Sequence, residues 1–89
     1  MRRRYLIDGR VQGIGFRWFA RAAARRLGVA GWVRNLPTGQ VEAEAQGSAE
    51  EVEAFELELR RGPPGSLVTE FAVSEISDEA DSPNIFAIR

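Results

Sequence analysis

Two amphipathic helical segments, each placed between strand-like segments, limit the folds open to this 89-residue chain. The first is indicated by apolar residues that recur at helical spacing, namely Phe16, Phe19, Ala20, Ala23 and Leu27. Gly28 is the expected C-terminal stop of this helix. The second helix begins at a capping box, in which Ser48 and Glu51 can each accept a hydrogen bond from the other's backbone N–H. It is predicted to end at residues 62–64, Gly-Pro-Pro.

Strand patterns account for most of the remaining chain. Alternating or apolar runs predict strands over residues 3–10, 29–36, 40–47 and 67–77, and a short terminal strand over 84–89. A turn with proline first and glycine last, residues 37–39, joins the second and third strands into a hairpin. Residues 78–83, DEADSP, are predicted to form a polar loop.

The resulting element order is β-α-β-β-α-β, and the terminal segment allows a short fifth strand. Two right-handed β-α-β units of this kind interleave into one antiparallel sheet with both helices on one face. The predicted fold class is therefore α/β (α+β), a ferredoxin-like sandwich, in a single domain over residues 1–89. This fold hosts many unrelated functions and does not indicate one by itself.

Composition removes several kinds of chemistry. The chain has no cysteine and no histidine, so it lacks thiolate nucleophiles, cysteine-rich zinc sites and the commonest general base. We expect no metal site and no cofactor. No apolar run approaches the ~20 residues of a membrane span, and the N-terminus has too short an apolar run for a signal peptide. A cytoplasmic protein without membrane association is therefore the simplest expectation.

The net charge of −1 hides a strong asymmetry along the chain. Residues 1–41 contain nine arginines and one acid, whereas residues 42–89 contain three arginines and twelve acids. Every basic residue is arginine, whose guanidinium can bind phosphate with two parallel hydrogen bonds. Two explanations of this pattern remain open. The first half of the chain binds an anion, or the source genome favours arginine over lysine.

A glycine-rich bend, GRVQGIGFR over residues 9–17, joins the first strand to the first helix. Unpaired N–H groups at a helix N-terminus attract anions, and Gly13 and Gly15 allow those groups to converge on one point. Arg17 opposes the helix dipole there unless a bound anion lies between the two positive features. The bend is thus either a tight turn or an anion site. It matches neither a Walker A loop, which needs lysine, nor the dinucleotide pattern, whose third glycine is replaced by Trp18.

Two segments together, GRVQGIGFR (9–17) and GWVRNLPTGQVE (31–42), closely resemble the signature pair of the acylphosphatase family. The resemblance extends over nearly the whole chain, to the terminal IFAIR. Ile14 stands where valine is usual, and Pro37-Thr38-Gly39 replaces a turn that often carries aspartate before glycine. Neither difference touches the expected chemistry. The resemblance implies a ferredoxin-like fold and hydrolysis of carboxyl-phosphate anhydrides without metal or cofactor.

The resemblance also implies a set of site residues. The phosphate-binding loop corresponds to the backbone N–H groups of Gln12, Gly13, Ile14, Gly15, Phe16 and Arg17. Arg17 matches the family's catalytic arginine and Asn35 its catalytic asparagine, which orients a water molecule. The implied partner is a small acyl phosphate, and inorganic phosphate or sulfate is expected to compete with it. We expect the protein to be a monomer.

Some roles remain open from the sequence. The Gln12 side chain is expected either to contact ligand or to hold the loop. Trp18 lines the mouth of the site or covers the sheet edge, and Trp32 is expected to pack at the core or an edge in preference to contacting substrate. An RNA-binding module shares the element order, but its base-stacking pattern is missing from the central strands, and we expect no nucleic-acid partner. A third class is an accessory domain, since acylphosphatase-like units also occur inside larger carbamoyl-transferring maturation proteins.

Overall fold

The computed structural model describes residues 1–79 and 84–89, and within them the chain forms one five-stranded sheet and two helices. The elements are β1 (Arg2–Arg10), α1 (Phe16–Leu27), β2 (Ala30–Asn35), β3 (Val41–Gln46), α2 (Ala49–Arg61), β4 (Leu67–Ile76) and β5 (Phe86–Ile88). The strand order is β4-β1-β3-β2-β5, so each helix connects strands that are separated by a third strand. This is the interleaved order of the predicted ferredoxin-like sandwich, which is confirmed.

The predicted fifth strand exists, and among the described strands it alone pairs in parallel. β1 is antiparallel to β3 and β4, and β2 is antiparallel to β3, but β5 runs parallel to β2 from Gly31–Phe86 to Val33–Ile88. β5 therefore has the direction shared by β1 and β2, opposite to that of β4. Of the polar loop predicted over 78–83, residues 80–83 lie outside the described residues.

The core lies between the helices and one face of the sheet. Alternation along β1 and β2 turns Tyr5, Ile7 and Val33 towards the helices, where each is fully buried. Phe55 and Leu59 of α2 are also fully buried in this cluster. Short side chains at alternate positions of the central strand β3 allow both helices to pack closely on the sheet.

The two helices are antiparallel, and their ends define the two ends of the molecule. The capping box is confirmed: Glu51 N donates to Ser48 Oγ at 3.1 Å, and Ser48 N donates to Glu51 Oε1 at 2.9 Å. Gly28, in the left-handed conformation at the end of α1, lies beside Glu51 at the start of α2. At the other end, Gly62 after α2 lies against the Phe16 ring at the start of α1. The glycine-rich bend is therefore at the end opposite the capping box.

Candidate active site

The bend between β1 and α1 owes its shape to two glycines. Gly13 has φ 77°, and Gly15, the N-cap of α1, has φ 79° and ψ 22°. Both angles lie in the left-handed region, which side-chain-bearing residues rarely adopt. A Cβ built on either residue would meet nothing within 4 Å, so the backbone conformation and not crowding requires glycine. Left-handed residues in such a bend turn successive N–H groups towards one side.

The N–H groups of this loop lack protein acceptors. Among residues 1–79 and 84–89, no hydrogen bond is donated by the backbone N–H of any residue from 12 to 17. Gly15 offers no capping side chain, and the first turn of α1 contains no acid; the helical bonding begins with Phe19 N to Gly15 O at 3.0 Å. Six donors without a described acceptor, at the positive end of a helix dipole, are an arrangement that attracts an anion.

Gln12 fixes the position of the loop. Its side-chain Nε2 donates to Leu36 O at 2.8 Å and to Gln40 O at 2.9 Å, at the base of the β2–β3 hairpin. Both amide hydrogens are thereby used. Of the two roles left open by the sequence, the geometry favours holding the loop. Because Leu36 directly follows Asn35, this clamp also brings the loop beside Asn35.

Asn35 carries a buried oxygen that the protein does not satisfy. It is the last residue of β2 and lies on the same face as the buried Val33, towards the helices. Its Oδ1 is inaccessible to solvent and has no hydrogen-bond partner among the described residues. Because an unsatisfied buried acceptor costs about 1–3 kcal/mol, such an atom calls for a specific explanation. A donor belonging to a ligand or a positioned water would satisfy it.

Arg17 is half-buried in the first turn of α1, where the helix dipole disfavours a cation. No described carboxylate lies within ion-pair distance of its guanidinium, and no described group accepts a hydrogen bond from it. Five N–H donors thus remain available beside the unpaired backbone donors of the loop. The arrangement can bind a tetrahedral oxyanion and stabilise negative charge on it. A neutral amide at Asn35 can orient water but cannot accept its proton.

The two tryptophans lie outside the buried core. Trp18 is 60% exposed on the solvent side of α1, with the Arg21 guanidinium 4.2 Å from its ring centroid, so it does not cover the sheet edge. Trp32 is half-buried on the helix-free face of the sheet, with the guanidiniums of Arg34 and Arg89 over its ring at 5.2 and 4.8 Å. That position fits edge packing.

Sequence reasoning did not identify Leu36 and Gln40 as supports of the loop. Their contribution is made by backbone carbonyls, which every residue carries, so side-chain patterns contain no signal for it. Among the described residues, no three acidic, histidine or cysteine side chains gather into a group suited to a metal ion. No described helix has the length and apolarity required to cross a membrane.

Comparisons with known proteins agree with this geometry. A family model described as Acylphosphatase matches residues 3–88. A protein named acylphosphatase from Koribacter versatilis is 46% identical over 87 residues, which are 98% of this chain and 76% of that protein. The crystal structure of acylphosphatase from Bacillus subtilis is 36% identical, with a TM-score of 0.93 over 99% of this chain and 97% of that one.

The same unit also occurs within a larger protein. Full-length HypF, solved in a phosphate- and nucleotide-bound form, matches 99% of this chain with 11% of its own length. The identity is 32% and the TM-score is 0.87.

Proposed function

The chain belongs to the acylphosphatase family and is a hydrolase, and we propose that its loop N–H groups, Arg17 and Asn35 carry out the reaction on acyl phosphates. The observation that carries this assignment is the set of six loop N–H groups that have no acceptor among the described residues, beside an arginine that has no described carboxylate partner. Together they match a phosphoryl group, whose three non-bridging oxygens accept hydrogen bonds in all directions. The six donors belong to residues 12–17.

Phosphate binding comes first in the proposed mechanism. The loop N–H groups and the helix dipole are fixed before substrate arrives, so little reorganisation is needed as charge develops in the transition state. The Arg17 guanidinium donates two parallel hydrogen bonds to phosphate oxygens. An anion in this position also removes the unfavourable interaction between Arg17 and the α1 dipole.

The chemical step is attack of water on phosphorus. The water oxygen forms a bond to phosphorus as the bond from phosphorus to the carboxylate oxygen breaks, in line with the attack. Asn35 Oδ1 accepts a hydrogen bond from this water and holds it on the side opposite the leaving group. Neither the Arg17 guanidinium nor the Asn35 amide can accept a proton, so the water proton passes to a phosphate oxygen of the substrate. The carboxylate is a good leaving group and needs no acid.

The further properties follow from this mechanism. Inorganic phosphate and sulfate carry the same oxygens as the substrate and compete for the loop. No metal or cofactor takes part. We further propose a cytoplasmic monomer that acts on small molecules and not on nucleic acid.

The test is hydrolysis of benzoyl phosphate in the presence of EDTA. We expect turnover far above the uncatalysed rate, unaffected by the chelator and inhibited competitively by inorganic phosphate. A correctly folded sample that hydrolyses benzoyl phosphate no faster than buffer would contradict the proposal. Inhibition that is not competitive would place the phosphate site elsewhere.

A further inference from the structure

The twelve arginines differ in whether they have a carboxylate partner. Seven form ion pairs with glutamates: Arg2, Arg3, Arg4, Arg26, Arg34, Arg60 and Arg61. Among the described residues, Arg10, Arg17, Arg21 and Arg25 have no such partner, and neither does the C-terminal Arg89. The unpaired internal arginines therefore all fall between residues 10 and 25.

Two of these arginines flank the loop. Arg10 is the last residue of β1, exposed, and directly precedes the loop. Arg21 lies one helical turn beyond Arg17, with its guanidinium over the exposed Trp18 ring. Contact with an aromatic face orients a guanidinium but does not neutralise its charge. Both side chains therefore add positive potential around the unpaired N–H groups.

The acids near this end are few. The chain contains none between Asp8 and Glu42. Asp8 and Glu70 face each other on β1 and β4, and Asp8 Oδ2 accepts a hydrogen bond from Gln40 Nε2 at 3.2 Å. The acidic first turn of α2 is at the opposite end, where α1 terminates. Acidic side chains are thus sparse around the loop, whereas the opposite end combines the acids of the first turn of α2 with Arg25 and Arg26 in the last turn of α1.

We propose that Arg10 and Arg21 steer anions to the loop through space, without touching the bound phosphate; for substrate, this rests on the proposed acylphosphatase activity. Steering of this kind raises the local concentration of the anion and its encounter rate, and it weakens steeply with added salt. Contact hydrogen bonds, such as those assigned to Arg17, persist at high salt. The two kinds of arginine are therefore distinguishable by ionic strength.

The expected size follows from Coulomb's law with screening. One unit charge on the order of 10 Å from a phosphate dianion in water should change the apparent affinity about two- to threefold at ~0.01 M ionic strength. At ~1 M, where the Debye length is about 3 Å, the change should vanish. Two arginines acting together should give roughly five- to tenfold at low salt.

The experiment measures kcat, KM and the phosphate inhibition constant for Arg10→Gln, Arg21→Gln and the double variant across this range of ionic strength. Arg25→Gln is the matched control: it is also without a carboxylate partner, and it removes the same charge on the same helix. It lies about 12 Å beyond Arg17 along the axis, compared with about 6 Å for Arg21. We expect a low-salt loss in kcat/KM and in phosphate affinity for the first three variants, an unchanged kcat and a smaller effect of Arg25→Gln.

Three results with the variants would overturn steering. A loss that persists at ~1 M salt would mean direct contact with phosphate. If Arg25→Gln lowered phosphate affinity as much as Arg10→Gln and Arg21→Gln, the loss would reflect only the net charge of the protein. If Arg10→Gln and Arg21→Gln caused no loss at low salt, neither arginine would steer anions. If the unmodified protein binds phosphate but does not hydrolyse benzoyl phosphate, the proposed function fails while phosphate affinity in the same variants still tests steering. Absence of both turnover and phosphate binding would overturn both proposals.

Discussion

At the scale of single residues, Arg17 combines poor placement for stability with good placement for binding an oxyanion. We expect Arg17→Ala to lower kcat/KM by about 10²- to 10³-fold, as for loss of one transition-state donor. Stability should stay equal or rise by about 0.3–1 kcal/mol, because a cation is removed from the positive end of the α1 dipole. Steady-state kinetics and thermal unfolding of the same sample measure both.

Arg25 provides the matched comparison on the same helix. It lies in the last turn of α1, where a cation is favourable. Arg25→Ala should therefore lower stability by about 0.3–1 kcal/mol and retain turnover at moderate salt. Near-normal turnover of folded Arg17→Ala would remove Arg17 from the mechanism.

Asn35 should affect the chemical step more than binding. Asn35→Ala removes the oxygen that orients water, so kcat should fall while the inhibition constant for inorganic phosphate stays within about twofold, since a water positioner serves the transition state. Asn35→Asp keeps the shape but adds a negative charge, and it should weaken phosphate binding. Equal losses of kcat and phosphate affinity in Asn35→Ala would instead make Asn35 a phosphate ligand.

The sequence indicated these residues to different degrees. Arg17 is anomalous from elementary electrostatics, since a cation begins a helix there. Asn35 is not, because asparagine commonly ends a strand at a turn, and its buried Oδ1 becomes visible only in three dimensions. The Gln12 clamp joins residues 24 and 28 positions apart through carbonyl groups, which no local pattern encodes.

At the scale of elements, the start of α1 depends on the left-handed conformation of Gly15. Gly15→Ala should cost about 1–2 kcal/mol in stability if the conformation is kept, and a relaxed φ would turn the loop N–H groups away from one another. We expect phosphate affinity and kcat/KM to fall by more than the fraction of unfolded protein accounts for. Isothermal titration with phosphate and chemical unfolding measure the two quantities.

Gly65 offers the control for backbone strain alone. It has φ 87°, and a Cβ there would also meet nothing within 4 Å. Gly65→Ala should show a similar loss of stability with unchanged phosphate affinity. If both variants bind phosphate equally well, the conformation of Gly15 is not what creates the site.

Elements were predictable where local rules act alone. Both helices were predicted from apolar residues at helical spacing and from the residues that begin or end a helix, and the capping box formed as predicted. The parallel pairing of β5 with β2 was not predicted, because strand direction depends on how the chain returns from β4 and not on the residues of β5.

At the scale of the whole molecule, the face of the sheet that the two helices leave uncovered carries ion pairs between neighbouring strands. Arg4 Nε and Arg34 Nε donate to the two oxygens of Glu42 at 2.7 and 2.6 Å, linking β1, β3 and β2. Glu42 is only 2% exposed beneath these side chains. Burial alone would raise the pKa of Glu42, but the hydrogen bonds from Arg4 and Arg34 outweigh it and hold the pKa below its ordinary value.

This triad should make stability fall in acid. Because the folded pKa of Glu42 is lower than the unfolded one, near 4.3, its contribution is present above about pH 4.3 and is lost as pH falls through the folded pKa.

Glu42→Gln should lower the free energy of unfolding by about 1–3 kcal/mol at neutral pH, less than for a fully buried pair because both guanidiniums are half exposed. Urea unfolding of both proteins over a range of pH measures the difference, which should narrow below about pH 4. Glu53→Gln, on the exposed face of α2 and without an ion pair among the described residues, is the control for the substitution itself and should change the free energy of unfolding at neutral pH by no more than about 0.5 kcal/mol. A difference for Glu42→Gln that is as large at pH 3 as at pH 7 would mean that shape, and not the carboxylate charge, holds the three strands together.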